Sequence, residues 1–231
     1  MEVCGIMDGF RGLTEGKIIP LDRSSVSDIM IRGGTLLGSA RLEEFKLESV
    51  QNQAIEVMHS QGIDSLVVIG GDGSYRGALA LTKKGINCIG LPGTIDNDLY
   101  GTDQTIGCHT AINTALDAID KVRDTAHSME RVFVIEVMGN RSGYIAMEVA
   151  LAAGAEDVIV PEFKPDYSRL CKNIQAGNKK GKVSWIIITA EGGAKADVVA
   201  QTITNMTGVE TRSVVLGHVM RGGTPCGADR L

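Results

Sequence analysis

The sequence lacks the features that several classes of protein require. Its five cysteines form no C-x-x-C pair and are odd in number, which fits buried thiols in a reducing compartment better than disulfides or a zinc site. No apolar stretch approaches the ~20 residues that span a bilayer, and the first residues lack the order of a signal peptide. The net charge of −5 argues against a surface that coats nucleic acid, although it leaves room for a local basic pocket. We therefore expect a cytoplasmic protein without membrane or nucleic-acid partners.

The composition is that of an ordinary α/β protein. The 231 residues are 43% hydrophobic and 22% charged, enough for one large domain or two small lobes. Apolar runs such as 132–138 and 185–189 are typical of strands covered on both faces. Strands are predicted at 2–6, 17–20, 65–70, 87–91, 132–138, 157–160, 183–190 and 211–217. Helices are predicted at 25–32, 47–61, 74–84, 108–123, 143–153, 167–177 and 195–206. This alternation predicts doubly wound, mostly parallel sheets.

Two of the apolar runs end in turns that carry carboxylates. One leads into Gly70-Gly-Asp-Gly-Ser74, and the other leads into Pro92-Gly-Thr-Ile-Asp-Asn-Asp98. Either turn alone could be a tight strand-to-helix turn or a helix cap. At the carboxyl edge of a parallel sheet, however, glycine N–H groups suit phosphate oxygens. One carboxylate there can hold the magnesium of a nucleotide, and another can deprotonate a hydroxyl. Together the turns indicate phosphoryl transfer from a nucleotide to an alcohol.

Three further strand ends carry glycines and polar groups. They are Glu136-Val-Met-Gly139 with the following Asn140-Arg-Ser-Gly143, Thr189-Ala-Glu-Gly-Gly193, and Gly217-His-Val-Met-Arg-Gly-Gly223. Each alone could be a plain junction, a cap or surface decoration. Glu191 could also accept hydrogen bonds from sugar hydroxyls, and the planar guanidinium of Arg221 suits phosphate. Five such strand ends in one chain favour a ligand site.

These motifs resemble those of the bacterial type of ATP-dependent 6-phosphofructokinase, in order along the whole chain. Arg32-Gly-Gly-Thr-x-Leu-Gly-Ser-Ala-Arg41 and Arg23-x-x-Val-Ser-Asp28 also fit the family. The resemblance implies two Rossmann-like lobes and phosphoryl transfer from MgATP to the 1-hydroxyl of fructose 6-phosphate in glycolysis. It also implies a homotetramer with an allosteric site for ADP or phosphoenolpyruvate.

The resemblance implies roles for particular residues. Asp96 would be the base, with Thr94 and Asp98 beside it, and Asp72 would hold Mg²⁺. The residues implied for ATP are Arg41, Leu42, Gly71, Asp72, Gly73 and Ser74. The residues implied for the sugar phosphate are Thr94, Ile95, Asp96, Arg131, Met138, Gly139, Asn140, Glu191, Arg212, His218, Val219, Met220 and Arg221. The residues implied for the effector are Arg23, Asp28, Arg123, Gly154, Glu156, Lys180 and Lys182.

The resemblance further implies how the chain is organised. Residues 1–107 would form the ATP-binding lobe, 108–220 the sugar-phosphate lobe, and 221–231 the start of the return to the first lobe. The family's first strand and phosphate loop would precede residue 1, and its last segment would follow Leu231. A neighbouring subunit would supply Arg131 and Arg212, since both begin strands whereas the other sugar-phosphate residues follow them.

Three positions leave alternatives open. Asn140 stands where the family usually has an arginine, and Arg141 beside it is a candidate replacement, so a non-catalytic regulatory homologue remains an alternative. Gly73 and Gly93 stand where pyrophosphate-using relatives typically carry aspartate and lysine. ATP is therefore the favoured donor, with pyrophosphate as the alternative. Lipid and NAD kinases also use a Gly-Gly-Asp-Gly loop, but the turns at 94–98 and 217–221 argue against them.

Overall fold

The computed structural model describes residues 2–231 and separates them into two compact units. One unit contains the residues up to Thr94 together with Arg230, and the other contains Ile95–Asp229 with Leu231. This division follows Thr94, whereas the predicted lobe boundary follows residue 107. Which ligand each lobe binds stays a prediction. Within residues 2–231, no helix is both long and apolar enough to cross a membrane.

The first unit combines an antiparallel and a parallel pair of strands. β1 (Val3–Ile6) is followed by α1 (Gly9–Glu15) and pairs with β2 (Ile18–Leu21). A 3-10 turn at Glu43–Lys46 leads into α2 (Glu48–Ser60), β3 (Ser65–Gly70), α3 (Asp72–Lys83) and β4 (Asn87–Thr94). β3 and β4 are parallel, with Gly70 opposite Pro92, so both strands end at the same edge.

The parallel pair packs its core on one face. Leu66 and Val68 of β3 contact the apolar cluster that includes Met58 of α2 and Leu81 of α3. Neighbouring residues of a strand point to opposite faces, and Val67 and Ile69 are accordingly 62% and 63% exposed. Among the described residues, helices therefore cover one face of this pair.

The prediction of a helix at 25–32 is wrong, because these residues form a series of turns. The Asp22 carboxylate accepts hydrogen bonds from the Ser24 hydroxyl and from both the N–H and the hydroxyl of Ser25. Such local side-chain bonds compete with the hydrogen bonds of a helix. Asp28 also has a φ of 55°, which no continuous right-handed helix allows. By contrast, α1 was not predicted.

The second unit is a parallel sheet with helices on both faces. Its elements are, in chain order, β5 (Ile106–Gly107), α4 (Cys108–Met129), β6 (Val132–Val137), α5 (Tyr144–Ala153), β7 (Asp157–Ile159), α6 (Tyr167–Lys179), β8 (Trp185–Ala190), α7 (Ala196–Thr207), β9 (Thr211–Val215), a 3-10 turn at Gly217–Arg221, and α8 (Gly227–Arg230). Four of the strands form one sheet in the order β7-β8-β6-β9, with every pairing parallel. This is the predicted doubly wound arrangement.

The two central strands of this sheet are buried along their whole length, as their apolar runs predict. Ile135 and Ile188 pack in a cluster with α4 and α5 on one face. Val134 and Ile187 pack in a second cluster with α6 and α7 on the other face. In β6, Glu136 lies opposite Thr189 of β8 and Val215 of β9. The turns that follow these three strands therefore begin at one edge of the sheet.

All five cysteines are free thiols in this structure. Cys108 and Cys171 are buried, which confirms the expectation for these two, whereas Cys4 is exposed, so the expectation is wrong there. Burial and, to a smaller extent, the charges of Asp229, Glu148 and Asp96 raise the pKa of the Cys108 thiol to about 12. Cys108 therefore stays protonated at neutral pH and cannot act as a nucleophile.

Candidate active site

The turn between β3 and α3 presents Asp72 at the first position of a helix. Gly71 before it is extended, and no side chain caps the helix there. A Cβ on Gly70 would lie 2.3 Å from the hydroxyl of Ser74, so this close turn requires glycine. The first turn of α3 thus offers uncapped N–H groups, the arrangement that binds phosphate oxygens at other helix ends.

Asp72 is suited to be the carboxylate that the protein contributes to a magnesium site. Its Oδ2 lies 2.8 Å from the guanidinium of Arg76, and its side chain is 57% exposed, so the pair is weak and open to solvent. No three His, Cys, Asp or Glu side chains of residues 2–231 are grouped to hold a metal by themselves. Mg²⁺ is usually held by one or two carboxylates together with nucleotide phosphates and water. Asp72 would supply the carboxylate of such a set.

The other predicted ATP residues also lie in the first unit. Leu42 packs against the core cluster of this unit, and Arg41 is exposed. The backbone carbonyl of Arg41 accepts a hydrogen bond from Arg11 at 2.8 Å, which fixes the loop before α2. Their contact with a nucleotide stays a prediction.

The loop that carries Asp96 is held by a neighbouring side chain, Asn97, which the sequence did not single out. Asn97 Oδ1 accepts hydrogen bonds from the N–H of Thr105 at 2.9 Å and from its hydroxyl at 3.2 Å. Its Nδ2 donates to the carbonyl of Asp103 at 3.3 Å. Thr105 is almost completely buried, so these contacts tie the loop to the interior of the second unit. They hold Asn97, which follows Asp96 directly, against residues 103–105.

Asp96 has the electrostatic surroundings of a base. Burial raises the pKa of its carboxyl, and the charges of Asp98 and Glu191 raise it further, whereas Arg221 lowers it. A carboxylate with a raised pKa holds an abstracted proton more firmly, which suits general base catalysis near neutral pH. Because Glu191 and Arg221 both affect this pKa, Asp96 lies within electrostatic range of the turns that follow β8 and β9.

The turn after β6 meets the turn after β8 through Glu191. Glu191 Oε1 accepts hydrogen bonds from the N–H groups of Gly139 at 3.2 Å and Asn140 at 2.9 Å. A Cβ on Gly192 would lie 2.2 Å from the carbonyl oxygen of Asn140, so the two backbones approach as only glycine permits. The structure therefore brings Gly139, Asn140 and Glu191 together.

Asn140 itself has a φ of 54°, in the left-handed region. Asparagine tolerates this conformation better than most residues that have a Cβ. Arg141 beside it is exposed and makes no hydrogen bond or ion pair within the described residues. A guanidinium is therefore available one position after the departure from the family pattern, and its role stays a prediction.

The turn after β9 meets the same strand end. The N–H of Met138 donates to the sulfur of Met220 at 3.2 Å, and Met220 is buried. His218, Val219 and Arg221 lie on the same 3-10 turn and are exposed. The predicted sugar-phosphate residues of β6, β8 and β9 therefore share one edge of the second unit. Thr94, by contrast, belongs to the first unit, while Ile95 begins the second.

Arg131 and Arg212 lie at the opposite edge. Arg131 precedes β6 and its Nε donates to Glu210 at 3.0 Å, while Arg212 lies near the start of β9 and pairs with the same carboxylate. In a parallel sheet the amino and carboxyl edges are separated by the length of the strands. The structure does not bring these two arginines to the other sugar-phosphate residues of the same chain.

Several predicted effector residues gather near the start of β8. Glu156 binds the ammonium of Lys182 at 2.7 Å and accepts the N–H of Ile186. The guanidinium of Arg123 donates to the carbonyl of Ala153, next to Gly154 at the end of α5. Arg123 also lines a cavity of about 470 Å³. Lys180 is exposed nearby in sequence, and Arg23 and Asp28 belong to the first unit. Effector binding stays a prediction.

A further cavity of about 310 Å³ lies in the second unit. Its walls come from β7, the start of α6 and the segment between them, including Asp157, Phe163 and Arg169. None of the predicted site residues lines it. The chemistry of the candidate site therefore points to an open edge of the sheet rather than to this cavity.

The sequence also missed the carboxylate that caps α4. Asp229 accepts hydrogen bonds from the N–H of Gly107 at 2.8 Å and the N–H of Thr110 at 2.7 Å. Burial opposes ionisation, but these bonds and the Thr110 hydroxyl outweigh it and lower the pKa of Asp229. Because the partners are far apart in the sequence, no local pattern indicates this cap.

We expect Asp98→Asn to lower the pKa of Asp96, because the substitution removes a negative charge that disfavours its ionisation. A carboxyl ¹³C NMR titration of the purified protein measures the shift. Asp103→Asn, in the same loop, is the matched control and should leave the Asp96 titration in place. An unchanged Asp96 pKa in Asp98→Asn, or an equal shift in both variants, would contradict this electrostatic account.

Comparison with known proteins identifies the family. The Phosphofructokinase family model matches residues 1–231. A curated protein from Clostridium tetani named ATP-dependent 6-phosphofructokinase is 53% identical over 229 residues, which cover 99% of this chain and 72% of that protein.

Two solved structures share the fold. The structure of phosphofructokinase from Saccharomyces cerevisiae matches with a TM-score of 0.91 and 34% identity over 99% of this chain and 35% of that chain. The crystal structure of Pichia pastoris phosphofructokinase in the T-state matches with a TM-score of 0.93 and 34% identity over 99% of this chain and 27% of that chain. These matches confirm the predicted fold and resemblance. The chain belongs to the phosphofructokinase family.

Proposed function

We propose that this protein transfers the γ-phosphoryl group of ATP to the 1-hydroxyl of fructose 6-phosphate, giving fructose 1,6-bisphosphate and ADP in glycolysis. The observation that carries this proposal is the 53% identity, across 99% of the chain, to a curated ATP-dependent 6-phosphofructokinase. The family membership also argues against the alternative of a lipid or NAD kinase.

On the donor side, the proposal uses the turn between β3 and α3. Gly71, Gly73 and Ser74 lie at the uncapped start of α3, where backbone N–H groups can donate to phosphate oxygens. Asp72 would hold Mg²⁺, which when bound neutralises charge that develops on the phosphate oxygens. The similarity to the clostridial ATP-dependent 6-phosphofructokinase supports ATP over pyrophosphate as the donor.

On the acceptor side, Asp96 takes the proton of the 1-hydroxyl as its oxygen attacks the γ-phosphorus. The bond from phosphorus to ADP breaks, and the proton remains on the Asp96 carboxyl until it is released to solvent. The pKa of Asp96, raised by burial and by its carboxylate neighbours, supports this role. The carboxylate of Glu191 suits sugar hydroxyls, while the guanidinium of Arg221 suits a phosphate group.

The opposite-edge position of Arg131 and Arg212 supports a shared site. One chain does not bring them to Glu191 and Arg221, whereas a two-fold related neighbour could present them. We therefore propose that the protein assembles as a homotetramer. Regulation by ADP or phosphoenolpyruvate through the Glu156–Lys182 region, and a cytoplasmic location, also remain proposals.

Asp96→Asn tests the proposed function. Coupled ADP-release assays of the purified protein should show release that depends on fructose 6-phosphate. We expect the variant to lower kcat ~10²–10⁴-fold with little change in KM for the sugar, because a positioned base is lost. Asp117→Asn, which removes one partner of a surface ion pair on α4, is the control and should keep its kcat.

A kcat of Asp96→Asn close to that of the unmodified protein would reject Asp96 as the base. Absence of sugar-dependent ADP release in the unmodified, folded protein would instead favour a non-catalytic homologue. The non-catalytic homologue is the second candidate function because Asn140 stands where the family usually has an arginine.

Gly73→Asp tests the choice of donor. A Cβ at Gly73 would meet no heavy atom within 4 Å, so the substitution fits the free protein. We expect it to raise KM for ATP, because the added carboxylate repels the phosphates, and to impair pyrophosphate use less. Gly73→Asn is the uncharged control. Equal KM values for ATP in Gly73→Asp and the unmodified protein would remove the reason for preferring ATP.

A further inference from the structure

The central strand of the second unit contains one charge in an otherwise apolar core. Glu136 lies in β6 and its side chain is 7% exposed. Within residues 2–231 it is the only charged residue that is buried. A buried carboxylate is costly unless its oxygens are bonded. The groups that donate hydrogen bonds to the Glu136 carboxylate therefore explain how the charge is tolerated in the core.

Both oxygens of Glu136 bind the start of α7. Oε1 accepts a hydrogen bond from the ammonium of Lys195 at 2.9 Å, and Oε2 accepts one from the N–H of Ala196 at 2.9 Å. Ala196 is the first residue of α7, and Lys195 before it provides no side-chain cap. The carboxylate thus satisfies an otherwise unpaired N–H and lies at the positive end of the helix. A residue of β6 therefore caps a helix that follows β8.

This cap restrains the short connection that carries Glu191. The connection leaves β8 after Ala190 and enters α7 at Ala196, so strand pairing holds one end and Glu136 holds the other. Between these points, Glu191 reaches the N–H groups of Gly139 and Asn140, just beyond Glu136 on β6. Glu191 is therefore held to β6 in two ways: by its own bonds to Gly139 and Asn140, and by the bond of Glu136 to Ala196.

The main chain of Glu136 also contacts the residue at the end of β9, before the turn that follows it. Its carbonyl oxygen accepts the N–H of Leu216 at 3.0 Å, just before the turn that carries His218 and Arg221. One residue thus contacts all three strand ends of the candidate sugar-phosphate site.

We propose that Glu136 is a positioning residue, whose contact with Lys195 and Ala196 sets the place of Glu191 and thereby the affinity of the site for the sugar phosphate. This inference rests on the proposed function. It differs from a purely structural cap, which would stabilise α7 without affecting the sugar. Neither Glu136 nor Lys195 needs to touch the substrate in this role.

The kinetic test compares Glu136→Gln and Lys195→Met with the unmodified protein. Both remove the ion pair, and Glu136→Gln keeps the volume and an acceptor for the N–H of Ala196. We expect KM for fructose 6-phosphate to rise roughly ten-fold or more in each, because small misplacements of binding groups are costly. KM for ATP should be unchanged. Lys172→Met, at an exposed lysine of α6, is the control and should behave as the unmodified protein.

A lowered Tm with an unchanged KM for fructose 6-phosphate would overturn the proposal in favour of a purely structural cap. Equal increases in KM for both substrates would also overturn it, because they would reflect general damage. Recovery of most of the sugar affinity in Glu136→Asp, relative to Glu136→Gln, would support the requirement for charge.

A second measurement separates this proposal from the proposed function, because it needs no substrate. Amide hydrogen exchange by NMR should accelerate at Gly139 and Asn140 in Glu136→Gln, since their acceptor on Glu191 loses its restraint. The N–H of Leu216, bound to the Glu136 main chain, is the internal control. Acceleration at Ala196 alone would overturn the positioning role. If the unmodified protein lacked sugar-dependent activity, the exchange data would still decide how Glu191 is held.

Discussion

Glu191 accepts hydrogen bonds from two consecutive backbone N–H groups at the end of β6, and the arrangement of the candidate site depends on this contact. Two backbones must approach closely for it to form. Gly192 allows the approach, since a Cβ there would collide with the carbonyl oxygen of Asn140. On the turn after β9, the side chains of His218 and Arg221 are exposed and available to a ligand.

A second constraint comes from the strands. The core on both faces of β6 and β8 fixes their register, because a shift by one residue would exchange the faces of every side chain. The same register sets the edge at which Met138 and Glu191 appear. It also places Arg131 and Arg212 beside Glu210 at the other edge. Packing in the second unit therefore separates two groups of residues that the proposed reaction would need at one ligand, which is the reason for proposing a shared site.

Much of the second unit could be predicted from the sequence because its signals are local. The apolar runs at 132–138 and 185–189 predict buried strands, and the glycines that follow predict turns at their ends. The helix predicted at 25–32 failed for a local reason as well, since Asp22 bonds to nearby serines and stabilises turns. Contacts between distant segments left no such signal. The Glu136–Lys195 pair, the Met138–Met220 contact and the Asp229 cap of α4 join residues far apart in the chain, and only tertiary structure brings them together.

A crystal structure of the protein with fructose 6-phosphate tests the central claim most directly. The account predicts that the sugar phosphate lies at the edge formed by the turns after β6, β8 and β9. Its 1-hydroxyl oxygen should lie within hydrogen-bond distance of the Asp96 carboxylate, about 2.6–3.2 Å. Glu191 should contact the sugar. A sugar phosphate bound instead in the cavity lined by Asp157, Phe163 and Arg169, with Asp96 and Glu191 free of ligand, would contradict the account.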